Sequence, residues 1–183
     1  MKFLLKIRQN LGFSLLKSKV KKLKREKAFN NLETASTVGL LFDSSQQINY
    51  IAAANFINEL RDNGKIVEAL GMVLNQDMLR YFPERDGLKF FRLDDLNFWG
   101  YPKAPCVAPF INKKFDVLIN LCVEENLSVD YVMGMSMSKL KVSMDLKDND
   151  FADFILHFGT AVKLDSELLL KKIKDYLSAF RRG

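Results

Sequence analysis

Apolar residues recur at spacings of three and four from the start of the chain, at Phe3, Leu4, Ile7, Leu11 and Leu15 and then at Leu16, Val20 and Leu23. This is the period of one helical face, and it predicts an amphipathic helix over residues 2–27, with Gly12 costing it about 1 kcal/mol. The polar stretch "NNLETAS" that follows marks a junction. Beyond it "STVGLLFD" is a nearly unbroken apolar run, the pattern of a strand buried on both faces of a parallel sheet. Ser44 with Gln47 reads as a capping box, and Ile48, Ile51, Ala52, Phe56 and Leu60 give a helix that stops at Asn63-Gly64.

Further strands are predicted at "KIVEALGMVL", with Gly71 at a bulge, and at "LKFFRL", after the loop "NQDMLRYFPERDG". A long aromatic connection, "DDLNFWGYPKAP", leads through a short helix in "CVAPFINKK" to "FDVLINLC", which repeats the buried-strand pattern. "LSVDYVMGMS" reads as a helix. "KLKVSM" alternates Lys139, Lys141 and Ser143 with Leu140, Val142 and Met144, so one of its faces is expected to be wet. "ADFILHF" alternates likewise and is placed at a sheet edge. The chain closes with a helix capped by Asp165 or Ser166, its stripe being Leu169, Ile173, Tyr176, Leu177 and Phe180.

Strands alternating with helices predict an α/β fold, a three-layer sandwich around a mostly parallel Rossmann-like sheet, preceded by the amphipathic basic helix. The expected organisation is a helical extension over residues 1–30 and one α/β domain over 36–183. The strand series "VGLLFD", "FDVLINLC", "KLKVSM" and "DFILHF" behind a basic helix resembles a family of small bacterial proteins known only as a domain of unknown function. That resemblance implies a fold and carries no active-site residue across. A fainter similarity, in the strand "FDVLINL" and the following "KV" strand, is to the N-terminal half of heptosyltransferase-like glycosyltransferases, at the level of fold alone.

Charge changes this picture by being uneven. Of the 183 residues, residues 1–27 hold ten Lys/Arg and one Glu, which leaves 18 cations and 21 anions in the body, so the excess positive charge of the +6 chain sits in the arm. Two cysteines, Cys106 and Cys122, do not form a disulfide framework and fit a reducing compartment. Lys6 and Arg8 break the N-terminal apolar run short of a signal peptide, and no run is long enough for a membrane span, so a cytoplasmic protein is expected.

The candidate chemistry is sparse. Open parallel sheets bind ligands beyond the carboxyl ends of their strands, which directs attention to Asp43, Ser44, Ser45, Asp94, Trp99 and Glu124 as possible ligand-binding residues. The turn "FDSSQQ" lacks the glycines of a dinucleotide fingerprint, and Asp43 would repel a phosphate seated on the helix that follows. One histidine, His157, and two cysteines sixteen residues apart do not make a zinc site. No catalytic residue and no cofactor is assigned.

The segment "KSKVKKLKREK" places seven cations in eleven residues: Lys17, Lys19, Lys21, Lys22, Lys24, Arg25 and Lys27. It has three readings: a solvated helix docked on the body, an arm for RNA or a ribonucleoprotein, or a helix lying on an anionic membrane surface. We expect a non-catalytic cytoplasmic interaction protein whose basic helix holds a polyanion, RNA or a ribonucleoprotein ahead of an anionic membrane surface, the alternative being a small nucleotide-binding or transferase-like enzyme at the strand ends.

Overall fold

A computed structural model of the chain describes residues 2–73, 87–144, 151–157 and 166–179. The first apolar run forms the strand β1 (Thr37–Asp43), with Val38 through Phe42 buried on both faces. Around it lie β2 (Ile66–Val73), β3 (Leu88–Arg92), β4 (Val117–Asn120), β5 (Leu140–Met144) and β6 (Phe154–Leu156). They hydrogen-bond in the order β3-β2-β1-β4-β5-β6, every pairing parallel. This is the doubly wound Rossmann order, which reverses direction between β1 and β4. As the apolar runs imply, β1 and β4 are neighbours near the middle and β6 is an edge.

The helices are α1 (Lys2–Lys22), α2 (Gln47–Asp62), α3 (Val107–Asn112), α4 (Leu127–Met135) and α5 (Ser166–Ala179). Alternation along the strands sorts the core into two. Val38, Leu40, Phe42, Ile119 and Val142 face α2 and α5, packing on Phe56, Ile57, Leu169 and Ile173. Leu41, Leu70, Phe91 and Leu118 face the other way, toward Phe110 of α3, Val129 and Val132 of α4, and Leu16 of α1. Each such side chain removed from water contributes roughly 1.5–3 kcal/mol.

Several expectations are corrected by this packing. The helix α1 ends at Lys22, not Lys27, because the next residues run extended to reach the body: the Ala28 amide donates to the Lys139 carbonyl, and Arg25 Nη1 donates to the Ser138 and Lys139 carbonyls at 2.9 and 3.0 Å. The face of β5 expected to be wet is dry. Lys141 is 1% exposed and Ser143 fully buried, because β5 lies inside β6 and under α4. Gly71 is not at a bulge; the register runs unbroken past Phe42 and Phe90, and a Cβ there would stand 2.6 Å from the Phe90 ring. Ser44 does not cap α2, its hydroxyl donating to the Met72 carbonyl at 2.8 Å, and the cap position falls to Gln46.

The buried face of α2 is Tyr50, Ala52, Ala53, Phe56, Ile57 and Leu60, while Ile48 and Ile51 are exposed. It stops as expected at Asn63-Gly64, where Gly64 takes φ 74°, a backbone that side chains disfavour. On α5, Leu169, Leu170, Ile173 and Leu177 are buried and Tyr176 is exposed. The loop "NQDMLRYFPERDG" through Asp86, together with Asp165 and Phe180, lies outside the described residues.

Candidate functional site

The sheet's switch point lies between β1 and β4, so their carboxyl ends bound the crevice where a ligand would sit in a fold of this order. Three of the six candidate residues, Asp43, Ser44 and Ser45, meet there. They are largely occupied with one another. Asp43 Oδ1 accepts the Ser45 amide at 2.8 Å, and the Ser44 amide and hydroxyl both donate to the Met72 carbonyl. Across the switch point, Asn120 Oδ1 accepts the Cys122 amide at 3.0 Å and its Nδ2 donates to Ser143 Oγ at 3.3 Å. A phosphate arriving at the start of α2 would compete with the Asp43 carboxylate for the Ser45 amide. One atom stands apart, since Ser45 Oγ is buried and has no hydrogen-bond partner.

The remaining candidates are dispersed. Glu124 is exposed beyond β4, and Asp94 is exposed in a 3-10 turn after β3, two strands from β1. Trp99 is half-buried, and its carbonyl lies 2.7 Å from where a Cβ on Gly12 would stand, so it packs against α1 rather than opening toward a ligand. Its neighbour Phe98 is 68% exposed.

The crevice is acidic and partly buried. Burial, reinforced by Glu125, raises the Asp130 carboxyl to about 7. Burial also pushes the Cys122 thiol well above its usual range, with Asp43 and Asp130 adding to the effect, so Cys122 is a poor nucleophile. The amino-terminal end of the strands holds the opposite case. At the start of β4, burial acts to raise Asp116, but Lys139 and the Ser36 and Thr37 donors outweigh it and bring its carboxyl down to about 2. No group of three or more His, Cys, Asp or Glu among the described residues is placed to hold a metal ion.

The basic segment divides into parts with different duties. Lys17 lies over the Phe13 ring at 4.8 Å, and Lys19 over Tyr101 and Tyr131 at 5.1 and 5.9 Å, within cation–π range. Lys21 and Lys22 are exposed at the end of α1, and Lys24 just beyond it. Arg25 and Lys27 both pair with Asp153, which fastens the arm to the segment before β6. Among the described residues of this stretch, then, Lys21, Lys22 and Lys24 are the exposed cations outside any ion pair or ring contact.

The α1 helix is apolar on two faces, which the spacing rule merges into one. Gly12, Leu16 and Val20 are turned toward the body with Phe13, whose ring meets Phe151 edge-on at 5.5 Å. The Tyr101 hydroxyl donates to the Gly12 carbonyl at 2.5 Å. Ile7, Leu11 and Leu15 follow at intervals of four on the far side, 40, 51 and 42% exposed, and Arg8 beside them lies over the exposed Phe98 ring at 5.8 Å.

Sequence reasoning did not single out Lys141. It is a buried lysine whose Nζ donates to the Gly134 carbonyl of α4 at 2.8 Å. The alternation of "KLKVSM" marks it as a surface lysine; only the serines around it, Ser136, Ser138 and Ser143, hint that this face meets protein.

Fold and site together define a doubly wound α/β protein with a basic N-terminal helix fastened across one of its layers. The chain belongs to a family of unknown function, DUF6913, whose model matches residues 8–180 and so runs through α1 as well as the sheet. No curated protein matches it. The likeness to heptosyltransferase-type enzymes read from the strand pattern is not shown by this family match.

Proposed function

We propose that this is a non-catalytic cytoplasmic interaction protein that rests on an anionic membrane surface through the outer face of α1. The observation that carries this reading is the exposed row Ile7, Leu11 and Leu15 beside Phe98, with Arg8, Lys21 and Lys22 on the same helix. Phosphate contacts to RNA need the cations and have no use for the apolar row, whereas an interfacial helix needs both. Each cation near an anionic leaflet adds roughly 1 kcal/mol, and insertion of the aliphatic row supplies the rest. No described helix is long and apolar enough to cross a membrane, so the contact is peripheral.

Co-sedimentation with vesicles tests this. The protein is expected to bind vesicles rich in phosphatidylserine and not phosphatidylcholine vesicles, and Leu11→Glu with Leu15→Glu is expected to abolish binding. Binding of RNA that is unchanged by the same pair, with no vesicle binding, would replace the membrane with RNA as the polyanion.

A second reading, a nucleotide-binding enzyme at the switch point, has one observation in its favour, the buried and unpartnered Ser45 Oγ. Calorimetry with common nucleotides on the wild type and on Asp43→Ala tests it; absence of heat in the wild type removes it.

A further inference from the structure

Between the arm and the sheet lies a cavity of about 380 Å³, far from the switch point, lined by Lys24, Arg25, Lys27, Gly134, Lys141 and Asp153. Among the described residues, four cations face one carboxylate. That carboxylate is already committed, since Asp153 pairs with Arg25 and Lys27 and accepts the Lys141 backbone amide at 3.0 Å. Arg25 is committed as well, donating to Asp153 and to two carbonyls. Lys141 is not. Of the three N–H groups of its ammonium, one donates to the Gly134 carbonyl, and no carboxylate among the described residues lies within ion-pair distance of it.

A buried ammonium with a single neutral acceptor is costly unless it gives up its proton or another group neutralises it. The chain keeps this one in a cavity whose open cations are all of its own sign. Gly134 keeps the cavity's wall thin, since a Cβ there would stand 2.8 Å from Val20 and 3.2 Å from Phe151.

We infer that this cavity is a binding site for a phosphate group, with Lys141 Nζ at its floor and Lys24 and Lys27 at its mouth. The phosphate oxygens take the N–H groups that the protein leaves without acceptors, and their charge offsets the excess of cations. Charge-assisted bonds of this kind are the strong ones, and Lys serves as a point-charge partner for phosphate. The inference goes beyond the membrane reading, which rests on Ile7, Leu11 and Leu15 at the other end of α1. The shared chemistry has two sources, a small free phosphate ester or a phospholipid headgroup.

The state of the lysine gives the site a signature. Burial first, then the neighbouring Arg25 and Lys27, bring Lys141 down to about 7 against the pull of Asp153 in the other direction. Among the described residues, the charged groups around it are Lys24, Arg25 and Lys27 from the arm and Asp153 from the segment before β6; α4 brings the Gly134 carbonyl. An arriving phosphate favours the protonated amine, so binding draws up a proton and weakens as pH rises through 7 to 8.

The test uses the full chain and inorganic phosphate at matched ionic strength. Phosphate is expected to raise the melting temperature of the wild type, and Lys141→Met, which keeps the stem and removes the charge, is expected to lose that rise. Lys24→Gln with Lys27→Gln is expected to weaken phosphate by roughly 10–100-fold, the cost of one or two charge-assisted bonds. Calorimetry on the wild type in two buffers of different ionisation enthalpy, near pH 7.5, is expected to show proton uptake on binding, a readout that needs no variant to fold. Vesicles containing phosphatidate separate the sources. If Lys141→Met loses phosphate but keeps the vesicles, the ligand is a free phosphate ester; if it loses both, the ligand is a headgroup. A wild type unaffected by phosphate, or an identical rise in Lys141→Met, overturns the inference.

Discussion

The two sides of the sheet are built of different materials. Beneath α2 and α5 the buried residues are hydrocarbon and aromatic, from Val38 and Leu40 to Ile173 and Leu177. Beneath α3 and α4 the strands turn Asn120, Lys141 and Ser143 inward, and α4 and its exit add Ser128, Ser136 and Ser138. The first side supplies stability that has no pH dependence of its own. The second carries groups whose charge changes near neutrality, Asp130 and Lys141, and the cationic pocket opens on it. Among the described residues, most of the buried polar side chains lie on the side where the arm docks.

This contrast can be broken or sharpened by substitution, beginning with the largest effect. Phe56→Ala on the hydrocarbon side is expected to cost about 3–5 kcal/mol, equally at pH 6 and pH 9, measured by urea unfolding. A cost that varies with pH would show that the two sides are coupled. Lys141→Met is expected to stabilise by roughly 2 kcal/mol at pH 6. Its folded-state value of about 7 lies below the ordinary 10.5, so the unfolded chain binds more protons between the two and wild-type stability climbs as pH rises from about 7. In the Met variant that climb is expected to vanish.

Asp130→Asn acts in the reverse direction. With its folded value near 7 against an ordinary 3.8, wild-type stability falls as pH rises from about 4 to 7, so the Asn variant is expected to be more stable at pH 8, by roughly 1–2 kcal/mol after allowance for partial exposure, and unchanged at pH 3.5. The smallest effect is expected at Ser45→Ala. Removing a buried hydroxyl without a partner leaves stability within about 0.5 kcal/mol of the wild type or slightly above it, and a clear loss would mean that Oγ is satisfied in solution.

The strands β1 and β4 were legible because burial on both faces leaves an unbroken apolar run that few other structures produce. The strand β5 was half legible. Its position was right, but alternation reports a polar face without saying whether water or protein covers it, and here α4 covers it. The α1 helix shows the same limit in another form. Leu15 and Leu16 are adjacent, so two registers of four meet there, and nothing in their spacing tells that Leu16 is buried and Leu15 is not. The end of α1 at Lys22 follows from Arg25 reaching the Ser138 and Lys139 carbonyls, a contact between residues more than a hundred positions apart. At the crevice, Asp43, Ser44 and Ser45 were found by the rule for strand ends, while the hydrogen bonds that hold Ser44 depend on β2 and are set by the assembled sheet.

The clasp of Arg25 on Asp153 has a consequence for the order of events during synthesis. The two residues are 128 positions apart, and ribosomes add roughly 5–20 residues per second, so the arm leaves the ribosome many seconds before its fastening partner exists. Through that interval Leu16, Val20 and Phe13 have no completed layer to cover them. The same surface that later closes the fold is, for a newly made chain, an uncovered basic and apolar hook, open to whatever nascent-chain binding protein reaches it first.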